Sequence, residues 1–387
     1  MRRAFSALLL ATAAAGIAAT PAARAQSVPA ATLEQAIDAV AADVLKNQVS
    51  AGFVVGIAEN GKIRLVRGYG SADLEHNIPI DAKTVFRIGS ISKEFTAASI
   101  LLLAERGTLS IDDPLAKYFP DFPRAGEVTI RHLLTHMSGL RNYTSAPDFM
   151  KATAVRDLST DEMVATILQA DPLYDFDPGT SYRYSNSGYF VLGAIVEKVS
   201  GQSFADFLKA NILDPLGLDD TRIDDLAEIV PNRARGYTKA KTGFVNASYL
   251  SMSVAAAAGA VRSTATDLLD WHAALFGGKL LKPASLALMQ APGRLKDGRP
   301  GSASRPPSAT APATGGPPSE YGFGLMLTWP AGHRSIGHGG SINGFNAALN
   351  SFPDDKVTLV VLTNTDGASA GITPRMIEAL FAARAKK

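Results

Sequence analysis

Three short stretches of the sequence hold residue types that together can perform acyl transfer. The first is Phe86-Arg87-Ile88-Gly89-Ser90-Ile91-Ser92-Lys93, where a serine precedes a lysine by three residues at the start of an apolar, helix-periodic run. On a helix that spacing returns the amine to the face of the hydroxyl. A buried amine loses proton affinity, so Lys93 can take the Ser90 proton near neutral pH and make the hydroxyl a nucleophile. Gly89 permits a tight entry into the helix, and the free N–H groups of that first turn lie beside Ser90. The second stretch is Tyr184-Ser185-Asn186, after the turn Asp177-Pro178-Gly179. A phenol sharing its proton with an amine can relay that proton to a leaving group. An amide side chain both donates and accepts, so Asn186 can hold Lys93 and a substrate amide together. The third is His338-Gly339-Gly340-Ser341. Its glycines let a substrate backbone come close, and the N–H groups of Ser90 and Ser341 can form an oxyanion hole.

Each stretch has a plainer reading. A Ser-x-x-Lys pair arises by chance in long chains, though here it occurs once. Tyr174, Tyr182, Tyr184 and Tyr189 also fit an aromatic packing cluster. His338 and its glycines fit a surface turn. Other chemistries have weaker support. His132 and His136, four apart on an expected helix, can share a face, but Leu133-Leu134-Thr135 between them lacks the glutamate of a zinc hydrolase and no third ligand is apparent. A Gly-x-Ser-x-Gly elbow and a phosphate-binding glycine loop are both missing from the sequence. With no cysteine, a thiol nucleophile, a disulfide framework and cysteine-ligated metal are excluded.

Taken in order and at these separations, FRIGSISKEFT (86–96), HLLTHMSGL (132–140), Tyr184-Ser185-Asn186 and Gly337-His338-Gly339-Gly340 resemble the serine β-lactamase and penicillin-binding-protein superfamily. The branch most resembled is that of class C β-lactamases, carboxypeptidases of similar fold and related esterases. The resemblance implies a nucleophile at Ser90, a base at Lys93, a proton relay at Tyr184 and orienting roles for Asn186, His338, Gly339 and Gly340. It implies neither a metal nor an organic cofactor, and a small-molecule or peptide substrate. His338 departs from the pattern, standing where β-lactamases of that branch carry lysine. A permanent cation is thereby replaced by a group expected to be charged only part of the time. That shifts the expectation from a dedicated β-lactamase toward a carboxypeptidase, D-aminopeptidase-like or esterase activity. A class C-like β-lactamase and a penicillin-binding sensor without turnover are the alternatives.

The elements that must position these residues are legible in the patterning. Strands are expected at 53–58 and 63–70 around Asn60-Gly61, a hairpin signal, and at 345–352 and 357–364 around Pro353-Asp354-Asp355. Helices are expected at 33–45, 91–105, 130–137, 161–169, 188–199, 204–213, 266–276 and 372–385. The fold class is thus α/β (α+β): a central antiparallel sheet from both chain ends, flanked by helices, with a mainly helical insertion. The sheet subdomain is placed at about 26–105 and 255–387, and the helical one at about 106–254. Residues 291–318 hold 7 Pro and 5 Gly in 28 positions and are read as a mobile surface loop, with a lid as the alternative.

Residues 1–25 read as a signal peptide, with Arg2 and Arg3, an apolar run at 7–19 and Ala23-Arg24-Ala25 at the cleavage site. The run is too short for a convincing membrane span. Export by the general or the twin-arginine route to the periplasm or exterior is the expectation. The formal charge of +2 falls to −1 once Arg2, Arg3 and Arg24 are set aside, so nothing points to nucleic acid.

Overall fold

The computed structural model describes residues 32–301 and 318–385. The expected leader at 1–25 lies outside these residues, as does the 302–317 part of the Pro/Gly-rich stretch.

Both chain ends build one sheet. From the N-terminal side come β1 (Gly52–Glu59), β2 (Lys62–Asp73) and β3 (Ile78–Pro79), and β4 (Phe86–Arg87) follows. The insertion supplies β5 (Arg222–Ile223), β6 (Tyr237–Ala240) and β7 (Gly243–Asn246), and β8 (Val261–Ser263) follows it. The C-terminal part gives β9 (Glu320–Tyr321), β10 (Met326–Thr328), β11 (Ser335–Ile342), β12 (Phe345–Phe352) and β13 (Val357–Thr363). The eight-stranded sheet runs β3-β2-β1-β13-β12-β11-β10-β9, and its two halves are joined antiparallel through Phe53 opposite Thr363. Asn60 and Gly61 have φ of 52° and 72°, the left-handed pair that a two-residue hairpin between Glu59 and Lys62 requires.

The strands alternate between two cores. Phe53, Val55, Ile57, Leu359 and Val361 face the terminal helices Leu33–Lys46 and Ser369–Arg384. Val54, Val360 and Leu362 face the opposite way, toward helix Ala265–Phe276 and the rest of the molecule. With both faces covered, β1 and β13 read as nearly continuous apolar runs, and the period of two shows only in which core each residue joins. That second core continues into the helical insertion through Leu101, Ile130, Val191 and Ile195.

Helix Ser92–Glu105 runs through this core and is buried on all sides from Ser92 to Leu103. Two sequence expectations need correction. The helix expected over 130–137 ends at Leu134, because Thr135 caps it and His136 takes a positive φ of 58°. The expected surface loop begins as a docked segment: Leu295 is buried, Gly293 N–H donates to Tyr321 O at 2.9 Å and Lys296 N–H to Gly179 O at 2.8 Å. Helices Met252–Gly259 and Pro283–Gln290 and the three-stranded sheet β4-β8-β5 were not anticipated.

Candidate active site

Ser90 sits where β4 turns into the central helix. β4 is held against β8 by Phe86 opposite Ser263, and Ile88 N–H donates to Val261 O at 3.0 Å. The helix does not begin directly after Gly89. A single 3-10 turn, Gly89–Ile91, carries Ser90 first, and the α-helix starts at Ser92. Ser92 pins the turn: its hydroxyl donates to Gly89 O at 2.7 Å and accepts from Val261 N–H at 3.0 Å. Gly89 has φ of 52°, and a Cβ there would lie 2.7 Å from Ser341 N, so only glycine fits. The edge of β11 thus passes directly against the turn that presents Ser90.

One helical turn on, Lys93 is fully buried. Its Nζ lies 2.6 Å from Ala258 O, 2.8 Å from Asn186 Oδ1 and 3.1 Å from Ser90 Oγ. Ala258 lies just past Ala256, whose φ of 35° breaks the helical run Met252–Gly259. Burial without a carboxylate partner holds the amine well below the usual lysine range. An unprotonated amine has two N–H bonds and one lone pair. The two carbonyl oxygens can only accept, so they take the N–H bonds and leave the lone pair facing Ser90 Oγ.

Asn186 begins helix Asn186–Ser200 and is fixed on both sides. Its N–H donates to Asn142 Oδ1 at 3.1 Å, and its Nδ2 donates to Thr144 Oγ1 at 3.2 Å. The Tyr184 ring lies 4.8 Å from Lys93 Nζ. Burial holds its phenol protonated far above the usual range, an effect that interaction with the Ser90 hydroxyl partly offsets. Among the described residues, none hydrogen-bonds to the buried Tyr184 hydroxyl oxygen closely enough to satisfy it.

His132 and His136 do not share a helix face. His132 closes a capping box with Thr129, whereas His136 packs among Tyr182, Tyr184, Tyr189 and Tyr321 and accepts from Ser185 N–H at 3.2 Å. Of the aromatic cluster weighed as an alternative for Tyr184, Tyr182, Tyr184 and Tyr189 do meet around His136, joined by Tyr321, whereas the Tyr174 hydroxyl donates to Pro123 O at 2.8 Å.

His338 lies inside β11 rather than in a surface turn and is only 4% exposed. The expectation that it is charged part of the time is overturned: burial pushes it down to about 3. Its Nδ1 is 2.5 Å from Gly339 O, an acceptor only, so Nδ1 carries the hydrogen. Nε2 then accepts from the Tyr321 hydroxyl at 2.9 Å. Neither Tyr321 nor Ser92 was anticipated. Tyr321 reaches His338 from 17 positions away, and Ser92 couples its local bond to Gly89 O with a long-range one from Val261 N–H.

Gly340 is the second close approach. A Cβ there would lie 1.9 Å from Ile88 O and 3.2 Å from Ser90 N. Gly339 and Ser341 are exposed on the same strand. On the β10 side, β11 is paired only from Ser335 to Gly337, so 338–342 form an edge beside Ser90. Ser90, Asn186 and Ser341 line one cavity of about 290 Å³, with Tyr143, Phe149 and Val254 among its other walls.

A family model described as Beta-lactamase matches residues 33–382. Penicillin-binding protein 4* of Bacillus subtilis (strain 168) is 30% identical over 327 residues, covering 80% of this chain and 67% of that protein. Esterase EstB of Burkholderia gladioli is 36% identical over 208 residues, covering 50% of this chain and 52% of its own. Among solved structures, D-amino acid amidase from Ochrobactrum anthropi SV3 complexed with D-phenylalanine has a TM-score of 0.77 at 26% identity. It covers 91% of this chain and 99% of that one.

Proposed function

The chain belongs to the Beta-lactamase family, and on that premise we propose that it cleaves an amide or ester through an acyl-enzyme formed on Ser90. It is a serine-hydrolase-type enzyme, and the observation that carries the residue roles is the environment of Lys93. With its two N–H bonds directed at Ala258 O and Asn186 Oδ1, the amine's free lone pair is the base nearest the nucleophile.

The steps balance without a further reagent. Ser90 Oγ bonds to the substrate carbonyl carbon as its proton passes to Lys93 Nζ. The carbonyl oxygen becomes an oxyanion held by the N–H groups of Ser90 and Ser341. As the carbonyl re-forms, the bond to the leaving group breaks, and that group takes the proton from Lys93 through the Tyr184 hydroxyl. Water then bonds to the acyl carbon as its proton passes to Lys93 Nζ, and the bond from that carbon to Ser90 Oγ breaks as Oγ takes the proton back, which releases the acid. Asn186 keeps Lys93 oriented. Gly339 and Gly340 keep the β11 edge low enough for substrate to lie along it, and His338 shapes the far side as an uncharged group.

The names of the relatives fit this scheme: an esterase and a D-amino acid amidase are among them, beside a penicillin-binding protein. A carboxypeptidase, D-aminopeptidase-like or esterase activity is therefore preferred. The neutral His338 weighs against a dedicated β-lactamase, which would gain from a fixed cation at that place. The hydrolase fold is read as exported behind a leader at 1–25 to the periplasm or exterior.

Purified protein should be compared on a nitrophenyl ester, a chromogenic cephalosporin and a D-Ala-D-Ala peptide. Ser90→Ala and Lys93→Ala should each lower turnover of the best substrate by about three orders of magnitude or more. Near-wild-type turnover by folded Ser90→Ala would sink the scheme. A stable adduct on Ser90 with no turnover of any substrate would favour the sensor reading.

A further inference from the structure

The wall of the Ser90 cavity carries no charge. Its polar side chains are Ser90, Thr144, Asn186, Ser341 and Asn343, and the rest are apolar or aromatic. Among the described residues lining it, none is Asp, Glu, Lys, Arg or His. Four of the polar groups are already engaged: Ser90 and Asn186 with Lys93, Thr144 with Asn142 and Asn186, and Asn343 through its Nδ2 to Ser248 O at 3.1 Å.

The ionisable groups closest behind the wall offer no counter-charge either. Lys93 is the unprotonated base of the proposed mechanism, and both ring nitrogens of His338 are hydrogen-bonded. Guanidinium groups do stand nearby, in a separate cavity of about 320 Å³ that meets the first at Leu250 and Asn343. Each of them is committed to a carboxylate. Arg87 and Arg233 pair with Asp224 at 2.8 and 2.9 Å, Arg262 with Glu228 at 2.7 Å, and Arg235 with Glu75 at 2.5 Å.

We infer that this site selects substrates with no charge on the acyl group, and so acts on esters or amides of short, neutral, apolar acids. A carboxylate or ammonium group drawn into the cavity loses its hydration and meets no partner, a cost that apolar contact does not offset. The methyl and methylene groups of a neutral chain are welcomed by Phe149, Met150, Leu250 and Val254. The volume is about twice that of an apolar protein cavity known to hold benzene, which suits a short chain or a single ring.

The inference rests on the hydrolase reading above and narrows it. Its test uses three nitrophenyl esters with one leaving group: the butyrate, the hemisuccinate with a terminal carboxylate, and the 4-trimethylammoniobutyrate with a terminal cation. The butyrate should exceed each charged ester in kcat/KM by about 100-fold or more. Met150, 44% exposed at the mouth, tolerates a long polar side chain, so Met150→Arg should narrow the butyrate-to-hemisuccinate ratio by about tenfold or more. It should widen the ratio against the trimethylammonium ester. A charged ester turned over through Ser90 as well as the butyrate, or ratios unmoved in Met150→Arg, would overturn the selectivity and leave the hydrolase reading standing. Turnover of the esters that survives in Ser90→Ala would overturn both.

Discussion

Two carbonyl oxygens decide what Lys93 does. Because Ala258 O and Asn186 Oδ1 accept its N–H bonds, the amine works as a base only if it is neutral at the pH of reaction. Neutrality has a thermodynamic signature. The unfolded chain binds a proton at Lys93 up to the ordinary lysine range, while the folded chain does not. Stability therefore rises with pH between the depressed folded pKa and the ordinary one, by up to about 1.4 kcal/mol per pH unit. Thermal melts of wild type and Lys93→Met from pH 6 to 9 should show the difference shifting toward wild type as pH rises. A difference that does not move with pH would mean that Lys93 is charged in the fold. His338 has the same sign in a lower window, with stability lost as pH falls from about 6.5 toward 3, so it does not set the acid limb of activity near neutrality. At this scale the sequence revealed types and spacing: the three-residue separation of Ser90 and Lys93 suits one helical face, and the 3-10 turn that carries Ser90 keeps them together. The protonation state of His338 was not legible, since it depends on burial inside β11 and on the Tyr321 hydroxyl, 17 positions away in the chain.

Elements matter here through how closely two of them approach. The turn Gly89–Ile91 and the strand β11 touch backbone to backbone, with glycine on both sides of the contact. In Gly340→Ala the added Cβ meets Ile88 O at 1.9 Å, so the strand must move away from Ser90 N. The variant should lose about 1–3 kcal/mol of stability to overpacking. Its kcat should fall about 10²-fold or more as the oxyanion donors separate. Chemical denaturation and ester kinetics on the same preparation check both. Full activity in Gly340→Ala would show that the contact is not what sets the donor geometry. Local chemistry made some elements readable: Asn60-Gly61 marks its hairpin because both residues take positive φ. It failed where tertiary contacts override pattern. The 130–137 run is apolar enough for a helix, yet His136 turns out of it to pack on four tyrosines. Strand β11 is glycine-rich at its working end and shows no alternation to read.

The whole molecule places Ser90, the proposed nucleophile, at the meeting of a sheet made from both chain ends and a helical insertion, over a core that the two parts share. The sheet was legible because its central strands are apolar runs closed by turn signals. A strand of two residues such as β5 was not, since it exists only as a partner of β8. A shared core predicts shared unfolding. Ile195→Ala, at a fully buried position in the insertion, should cost about 2–5 kcal/mol. It should lower one common transition seen alike by far- and near-ultraviolet circular dichroism. Two separate transitions, with only one shifted, would mean that insertion and sheet fold independently. The central claim is that all of this architecture serves an acyl-transfer serine at position 90. Its most direct test is to treat the folded protein with a fluorophosphonate during ester hydrolysis and to map the adduct by mass spectrometry. The account predicts one adduct, on Ser90, formed in step with loss of activity and absent from Lys93→Ala on the same timescale. An adduct on another residue accompanying that loss, or full inactivation with Ser90 unmodified, would contradict it.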